Sequence, residues 1–180
     1  MYMDSLRSGL RVGLLDGGVM IDGPIGEDSC DDADFDAFFL RCFDRAARLA
    51  YLLTGDLATG EDIAQEALTR LQPRFSTIER PAAYLRTVVV NLASRARVRR
   101  DRDVRLRERF PERVAGPSTA GELTDLIDGL PRRQRAVVVL RYYEDLSEAE
   151  IAAVLGCRPG TVKSLASRAL ATLRRELRDD

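Results

Sequence analysis

Between Ser147 and Ala169 a serine, a small residue, a glycine and a proline fall in one helical register, and that register leaves few folds open. Ser147-Glu148-Ala149-Glu150 reads as a capping box: the serine hydroxyl accepts from the first helical turn while the glutamate reaches back to the serine N–H. Ile151, Ala152 and Leu155 then face inward. Gly156 supplies the positive φ that ends a helix and turns the chain. Pro159 suits the first position of the next helix, whose Val162, Leu165 and Ala169 return to the core. Ala152, Gly156 and Val162 stand at helix-turn-helix spacing. Ala152 is small so that the second helix can cross close above it, and Gly156 makes the turn tight. In such a unit the second helix enters the major groove of duplex DNA. Its outward side carries Arg158, Thr161, Lys163, Ser164, Ser167 and Arg168, donors for phosphates and base edges. The helix N-terminus adds a place for a phosphate. The plainer alternative is a helical hairpin with a solvated basic face, which leaves the coincidence of the signals unexplained.

Upstream, the apolar spacing is again helical. Phe35, Phe38, Phe39, Cys42, Phe43, Ala46, Leu49, Ala50 and Leu53 form one stripe, ended by Thr54-Gly55-Asp56. A second helix is expected from a Thr59 cap through Ile63, Ala67, Leu68 and Leu71. Pro73 to Arg80 reads as a loop, and Pro81 opens a third helix with Leu85, Val88, Val89, Leu92 and Ala96 inward. The runs Val88-Val89-Val90 and Val137-Val138-Val139 favour strand locally, but the flanking helical period overrides them. Residues 101–121 alternate charges and end in Ala115-Gly116-Pro117-Ser118, a linker composition. Another helical unit begins near Ala120, and Gly129-Leu130-Pro131 breaks it before a helix through Tyr143. The expectation is an all-α chain with two small domains: an N-terminal helical bundle over 35–100 and a C-terminal helix-turn-helix domain over 122–180, joined by the charged linker.

Composition argues against many enzyme classes, though not against carboxylate or lysine chemistry. There is no histidine among the 180 residues, which excludes a His-based triad, metal site or proton shuttle. Cys30, Cys42 and Cys157 are scattered, fitting neither a disulfide framework nor a zinc site. No cofactor or metal is expected. No stretch reaches the ~20 apolar residues that cross a bilayer. The patch Val12 to Met20 is broken by Asp16 and two glycines and lacks a cleavage site, so a signal peptide is rejected and the cytoplasm is the expected compartment. The net charge of −1 hides an asymmetry. Residues 1–34 hold eight acids against Arg7 and Arg11 and read as a disordered extension. Between Arg95 and Arg113 nine arginines face four acids. Arginine offers a planar fork suited to phosphate and guanine edges.

Several motifs together resemble one family. Leu130-Pro131-Arg132-Arg133-Gln134-Arg135, Leu140-Arg141-Tyr142-Tyr143-Glu144-Asp145-Leu146-Ser147, Glu150-Ile151-Ala152 and Gly160-Thr161-Val162-Lys163-Ser164 look like the C-terminal promoter-reading domain of extracytoplasmic-function sigma factors of the sigma-70 family. Gly60-Glu61-Asp62-Ile63-Ala64-Gln65-Glu66 stands where that family has its acidic polymerase-binding helix. Pro81-Ala82-Ala83-Tyr84-Leu85, Asn91 and the arginines from Arg95 to Arg100 stand where it opens the DNA strands. The resemblance covers residues 35–177.

It implies an alternative sigma factor that binds core RNA polymerase and promoter DNA. Glu61, Asp62, Gln65 and Glu66 then dock on the polymerase clamp coiled coil, with the flap as a further contact, and an anti-sigma protein is a possible controlling partner. The recognition helix takes the −35 element. Arg74, Phe75, Asn91, Arg95, Arg97, Arg99 and Arg100 take the −10 element, where a flipped base must be held. From the residues alone, Phe75 is either a stacking platform or a loop anchor, and Tyr84 packs the core. Leu165 departs from the pattern, standing where the family often has arginine. The alternative function is a conventional helix-turn-helix regulator. An enzyme lacks a nucleophile or phosphate loop here, and a sigma-like protein that only sequesters partners rests on Leu165.

Overall fold

The computed structural model describes residues 34–107 and 126–179. Every regular element among them is helical, as the 3.6-residue period requires. Helix α1 spans Phe35–Thr54 and α2 spans Leu57–Leu71, followed by a 3-10 segment at Gln72–Thr77. Helix α3 spans Pro81–Arg107, α4 Arg132–Tyr142, α5 Glu148–Leu155 and α6 Pro159–Asp179. Residues 126–128 are also helical. Both valine runs lie in helices, Val89, Val90, Val137, Val138 and Val139 being buried there.

The first bundle forms where α1, α2 and α3 pack together. Phe38, Cys42, Ala46, Leu49, Ala50 and Leu53 of the α1 stripe are buried, against Ile63, Ala67, Leu68 and Leu71 of α2. The N–H of Asp36 reaches the Asp34 carboxylate, and Gly55 closes α1 in the left-handed region at φ 77°. The expected Thr59 cap is displaced: α2 starts at Leu57, and Asp56 accepts the Thr59 N–H at 2.7 Å. A carboxylate makes the stronger bond at a helix N-terminus, where the dipole favours negative charge. Hydrogen bonds from the Thr59 side chain and then from its N–H hold the Asp56 carboxyl below its usual value. The crossing of α1 and α2 is close at Gly60, where a Cβ would lie 2.9 Å from the Ala47 carbonyl oxygen. Only glycine fits without separating the helices.

The sequence expectations are corrected at two further points. Helix α3 continues through Arg107, into the residues assigned to the linker. Nothing between 95 and 107 is glycine or proline, and arginine is a good helix former. The remainder of the linker and the acidic segment 1–33 lie outside the described residues. Cys42, fully buried, is disulfide-bonded, against the expectation from cysteine spacing, while Cys157 is a free thiol.

The second bundle is α4, α5 and α6. Its helix-turn-helix follows the sequence closely. Ser147 caps α5: the Glu150 N–H donates to its hydroxyl at 3.3 Å, and the Ser147 N–H donates to the Glu150 carboxylate at 2.8 Å. The Ser147 hydroxyl, donating to the Glu150 carboxylate at 2.6 Å, and then the Ser147 N–H lower the Glu150 pKa. Gly156 sits at φ 59°. A Cβ there would meet nothing within 4 Å, so backbone conformation, not space, requires the glycine. Asp145 at φ 54° turns the chain before α5, a conformation aspartate tolerates. Ile151, Ala152, Val162, Ala169 and Leu173 are buried, with Leu165 half-buried beside them. Ser147→Ala removes the cap and is expected to cost about 1 kcal/mol. At this chain length that lowers Tm by roughly 2–4 °C, measured by thermal circular dichroism.

The two bundles pack on each other through α1 and α3 of the first and α4 and α5 of the second. Arg86 on α3 donates to Glu144 after α4 at 2.6 Å, both side chains almost wholly buried. Arg97, also on α3, donates to the Asp128 carboxylate at 3.0 Å, to its carbonyl at 3.1 Å and to the Thr54 carbonyl at 3.3 Å. Arg135, 1% exposed, donates to the same carboxylate and to the Leu53 carbonyl. The final carbonyls of α1 thus receive cations at the negative end of the helix dipole.

Candidate nucleic-acid interface

Helix α6 presents the side foreseen for DNA. Arg158, Lys163, Ser164, Ser167 and Arg168 are exposed, and Thr161 is half-buried at the first turn. The pattern follows from the buried stripe: with Val162 and Ala169 inward, 163, 164, 167 and 168 fall on the opposite side. Ser164 donates to the Gly160 carbonyl at 2.9 Å, which leaves its oxygen free to accept. Leu165 packs against the core between Val162 and Ala169, so it widens the apolar stripe and takes no place on the basic side.

On α2, Glu61, Asp62, Gln65 and Glu66 are all exposed. Ile63, Ala64, Ala67 and Leu68 between them are buried against α1, which fixes the acidic side outward. Glu66 pairs with Arg70 one turn on, a surface pair worth little by itself.

The strand-opening set is divided. Asn91, Arg95, Arg99 and Arg100 are exposed on α3. Asn91 lines a cleft whose other walls are Ser94, Arg132, Arg133, Ala136 and Leu155. Arg74 is exposed and reaches the Tyr84 hydroxyl at 3.3 Å. Phe75 is 9% exposed and packs against Phe35 and Phe38 at ring distances of 5.4 and 5.0 Å. Arg97 is half-buried in the bonds to Asp128 and Thr54, and Arg100 reaches the Thr54 carbonyl at 3.4 Å. Tyr84 is half-buried against the core.

Sequence reasoning missed the groups that join the bundles: Arg86, Asp128, Arg135 and Glu144. The available signal was Arg86 between Leu85 and the valine run, a charge on an otherwise apolar stretch. Burial raises the Asp128 pKa, but the Arg97 hydrogen bond and the Arg135 charge outweigh it and leave the carboxyl below its ordinary 3.8. This pair is therefore intact at neutral pH, and its contribution disappears as pH falls through the lowered value. Burial, then the Arg97 charge, lowers Arg135 to about 10, so it remains protonated at neutral pH. No group of three or more potential metal ligands occurs among the described residues, and no helix there is long and apolar enough to cross a membrane.

Comparison with known proteins agrees with this geometry. The family model for sigma-70 region 2 matches residues 38–103, and that for sigma-70 region 4 matches residues 120–173. The RNA polymerase sigma-E factor of Streptomyces coelicolor is 38% identical over 153 residues, covering 80% of this chain and 86% of that protein. The ECF RNA polymerase sigma factor SigL of Mycobacterium tuberculosis is 34% identical over 145 residues, covering 73% and 82%. Among solved structures, sigma factor RpoE in complex with the anti-sigma factor NepR from Bartonella quintana matches with a TM-score of 0.64 at 27% identity, covering 83% of this chain and 99% of that one. The chain belongs to the sigma-70 family of RNA polymerase sigma factors, in its extracytoplasmic-function group, and is an alternative sigma factor that directs transcription initiation.

Proposed function

We propose that this sigma factor divides its work among three surfaces. Residues 35–100 carry two of them: the acidic side of α2, with Glu61, Asp62, Gln65 and Glu66 docking on the polymerase clamp coiled coil, and the α3 side, with Asn91, Arg95 and Arg99 on the separated −10 strand beside Arg74. Residues 122–180 carry the third, with Arg158, Thr161, Lys163, Ser164, Ser167 and Arg168 reading the −35 element. Residues 101–121 link the two units, and residues 1–34 are an acidic extension. The observation that carries this division is the exposure of the three sets, all but the half-buried Thr161, beside helix sides that are buried. Amide and guanidinium donors suit bases and phosphates, and carboxylates suit a basic coiled coil.

The protein does no covalent chemistry of its own and works in the cytoplasm, where the polymerase and chromosome are. A small protein antagonist that covers the same surfaces is expected, because the neighbouring RpoE structure is a complex with NepR. Run-off transcription with core polymerase on fragmented genomic DNA tests the reading. New start sites that depend on the protein, sharing upstream sequences, support it. Duplex binding without core binding or new transcripts favours the conventional regulator.

The docking side has its own test. Asp62→Lys with Glu66→Lys is expected to weaken core-polymerase binding at least about tenfold, since like charges then face the partner. Fluorescence anisotropy measures this, and unchanged helicity shows that the fold is intact.

A further inference from the structure

We propose that the cleft beside α3 and α4 is a binding site for a small aromatic carboxylate, a molecule of one ring and one acid group. Its floor is Leu53, Val90, Ala93 and Ala136, all buried. Val154 and Leu155 of α5, both half-buried, form one side. The rim is polar. It consists of the exposed Asn91, Arg132 and Arg133 and the half-buried Ser94. Apolar floor and cationic rim together describe an amphiphilic anion.

Size limits the apolar part to one ring. The cavity measures about 120 Å³. A cavity of about 150 Å³ lined by apolar side chains binds benzene. A six-membered ring is therefore close to the limit here, and a nucleoside or a stretch of peptide is too large. A two-carbon acid would leave most of the floor without a contact and gain little dispersion energy.

Charge selects the acid group. Arg70, Arg86, Arg97, Arg135, Arg141 and Arg175 each meet a carboxylate. Arg132 and Arg133 meet none among the described residues, and the bond they do make is from Arg132 to the Ser94 carbonyl at 3.4 Å. A guanidinium takes a carboxylate through two parallel N–H donors, and such charge-assisted bonds are roughly twice as strong as neutral ones. Ring on the floor and acid on the rim is the orientation that satisfies both parts of the cleft. A nucleic-acid phosphate would use the rim alone and leave the floor unfilled. An occupant touches α1, α3, α4 and α5 at once, so its binding adds to the stability of the folded chain.

Benzoate is the probe. Thermal unfolding of the full chain is compared in sodium benzoate at about 10 mM and in sodium chloride of the same ionic strength, for a dissociation constant on the order of 1 mM. The expected result is a benzoate-specific rise in Tm of at least about 2 °C. Saturation-transfer NMR should show the benzoate ring protons in contact with the protein. Benzyl alcohol keeps the ring without the charge, and inorganic phosphate keeps the charge without the ring. Each is expected to give less than half the benzoate shift at the same concentration. A smaller rise with benzoate overturns the proposal. So does a shift of half or more with benzyl alcohol, which would mean an uncharged pocket, or with phosphate, which would mean a plain anion site of the kind nucleic acid uses.

Two variants place the site. Arg132→Gln/Arg133→Gln changes exposed side chains outside the packed core, so helicity should match wild type. It is expected to lose more than half of the benzoate shift, and retention of half or more overturns the proposal. Val154→Phe puts a ring of the protein's own into the cleft and is expected to abolish saturation transfer to benzoate. Persistent transfer in that folded variant also overturns the proposal. Should the larger side chain unfold the chain, the glutamine pair decides.

Discussion

Lys163→Glu with Arg168→Glu is expected to reduce dependent transcription by at least about 30-fold at promoters that use an upstream element. Each lost contact is worth about 1–3 kcal/mol, and the reversed charges add repulsion from phosphate. Both side chains are exposed on α6, opposite Val162 and Ala169. Neither makes an internal bond that supports the fold, so helicity and Tm should stay within a degree or two of wild type. Core-polymerase binding should also persist, because the proposed docking side is on α2. The measurement is run-off transcription at several salt concentrations. Full activity at physiological salt would remove α6 from promoter recognition. A loss accompanied by unfolding would be uninformative about DNA, which is why the thermal control belongs in the same experiment.

Phe38→Ala should have the largest effect on stability. Phe38 is fully buried and meets Phe75 at 5.0 Å, so its removal leaves a cavity beneath the loop between α2 and α3. Losses of about 3–5 kcal/mol are usual for a buried phenylalanine, against a total stability of about 5–15 kcal/mol. At this chain length the expected fall in Tm is roughly 6–20 °C. The first bundle should suffer most. Phe75 loses a partner that holds it in place, so Arg74 beside it loses its position too. Differential scanning calorimetry checks the magnitude, and a fall below about 3 °C would mean that the loop collapses into the gap.

Much of this molecule was legible because helical period and capping chemistry are local. The α1 stripe, the Ser147 capping box, the Gly156 turn and the Pro81 and Pro159 starts all depend on residues within a few positions of one another. The exposed acids of α2 and bases of α6 followed once the buried stripes were known. What could not be read depends on partners far along the chain. Arg86 finds Glu144 and Arg97 finds Asp128 only after both bundles exist, and no spacing rule connects such positions. Local competition explains the smaller misses. Asp56 outdid Thr59 as a cap. Arg-rich sequence past residue 100 prolonged α3 where charge alternation suggested a linker. Phe75 was ambiguous because an aromatic in a loop can equally stack on a base or anchor the loop. The structure buries it against α1, which no local spacing could announce.

The Arg86–Glu144 pair bears on how such proteins can be recombined. Sigma factors invite the idea that promoter specificity is interchangeable, with one unit exchanged for its counterpart from a relative. Here an exchange that kept Arg86 but supplied a neutral residue at position 144 would remove the carboxylate that the buried guanidinium holds across the interface. Removing one partner of a buried pair costs about 3–5 kcal/mol. Chimaeras would then be misjudged: altered output could reflect a bundle interface that no longer closes, rather than a changed reading of DNA. Hybrids that exchange both members of the pair together would keep specificity and assembly separable, and the two bundles would have to be inherited as a matched set.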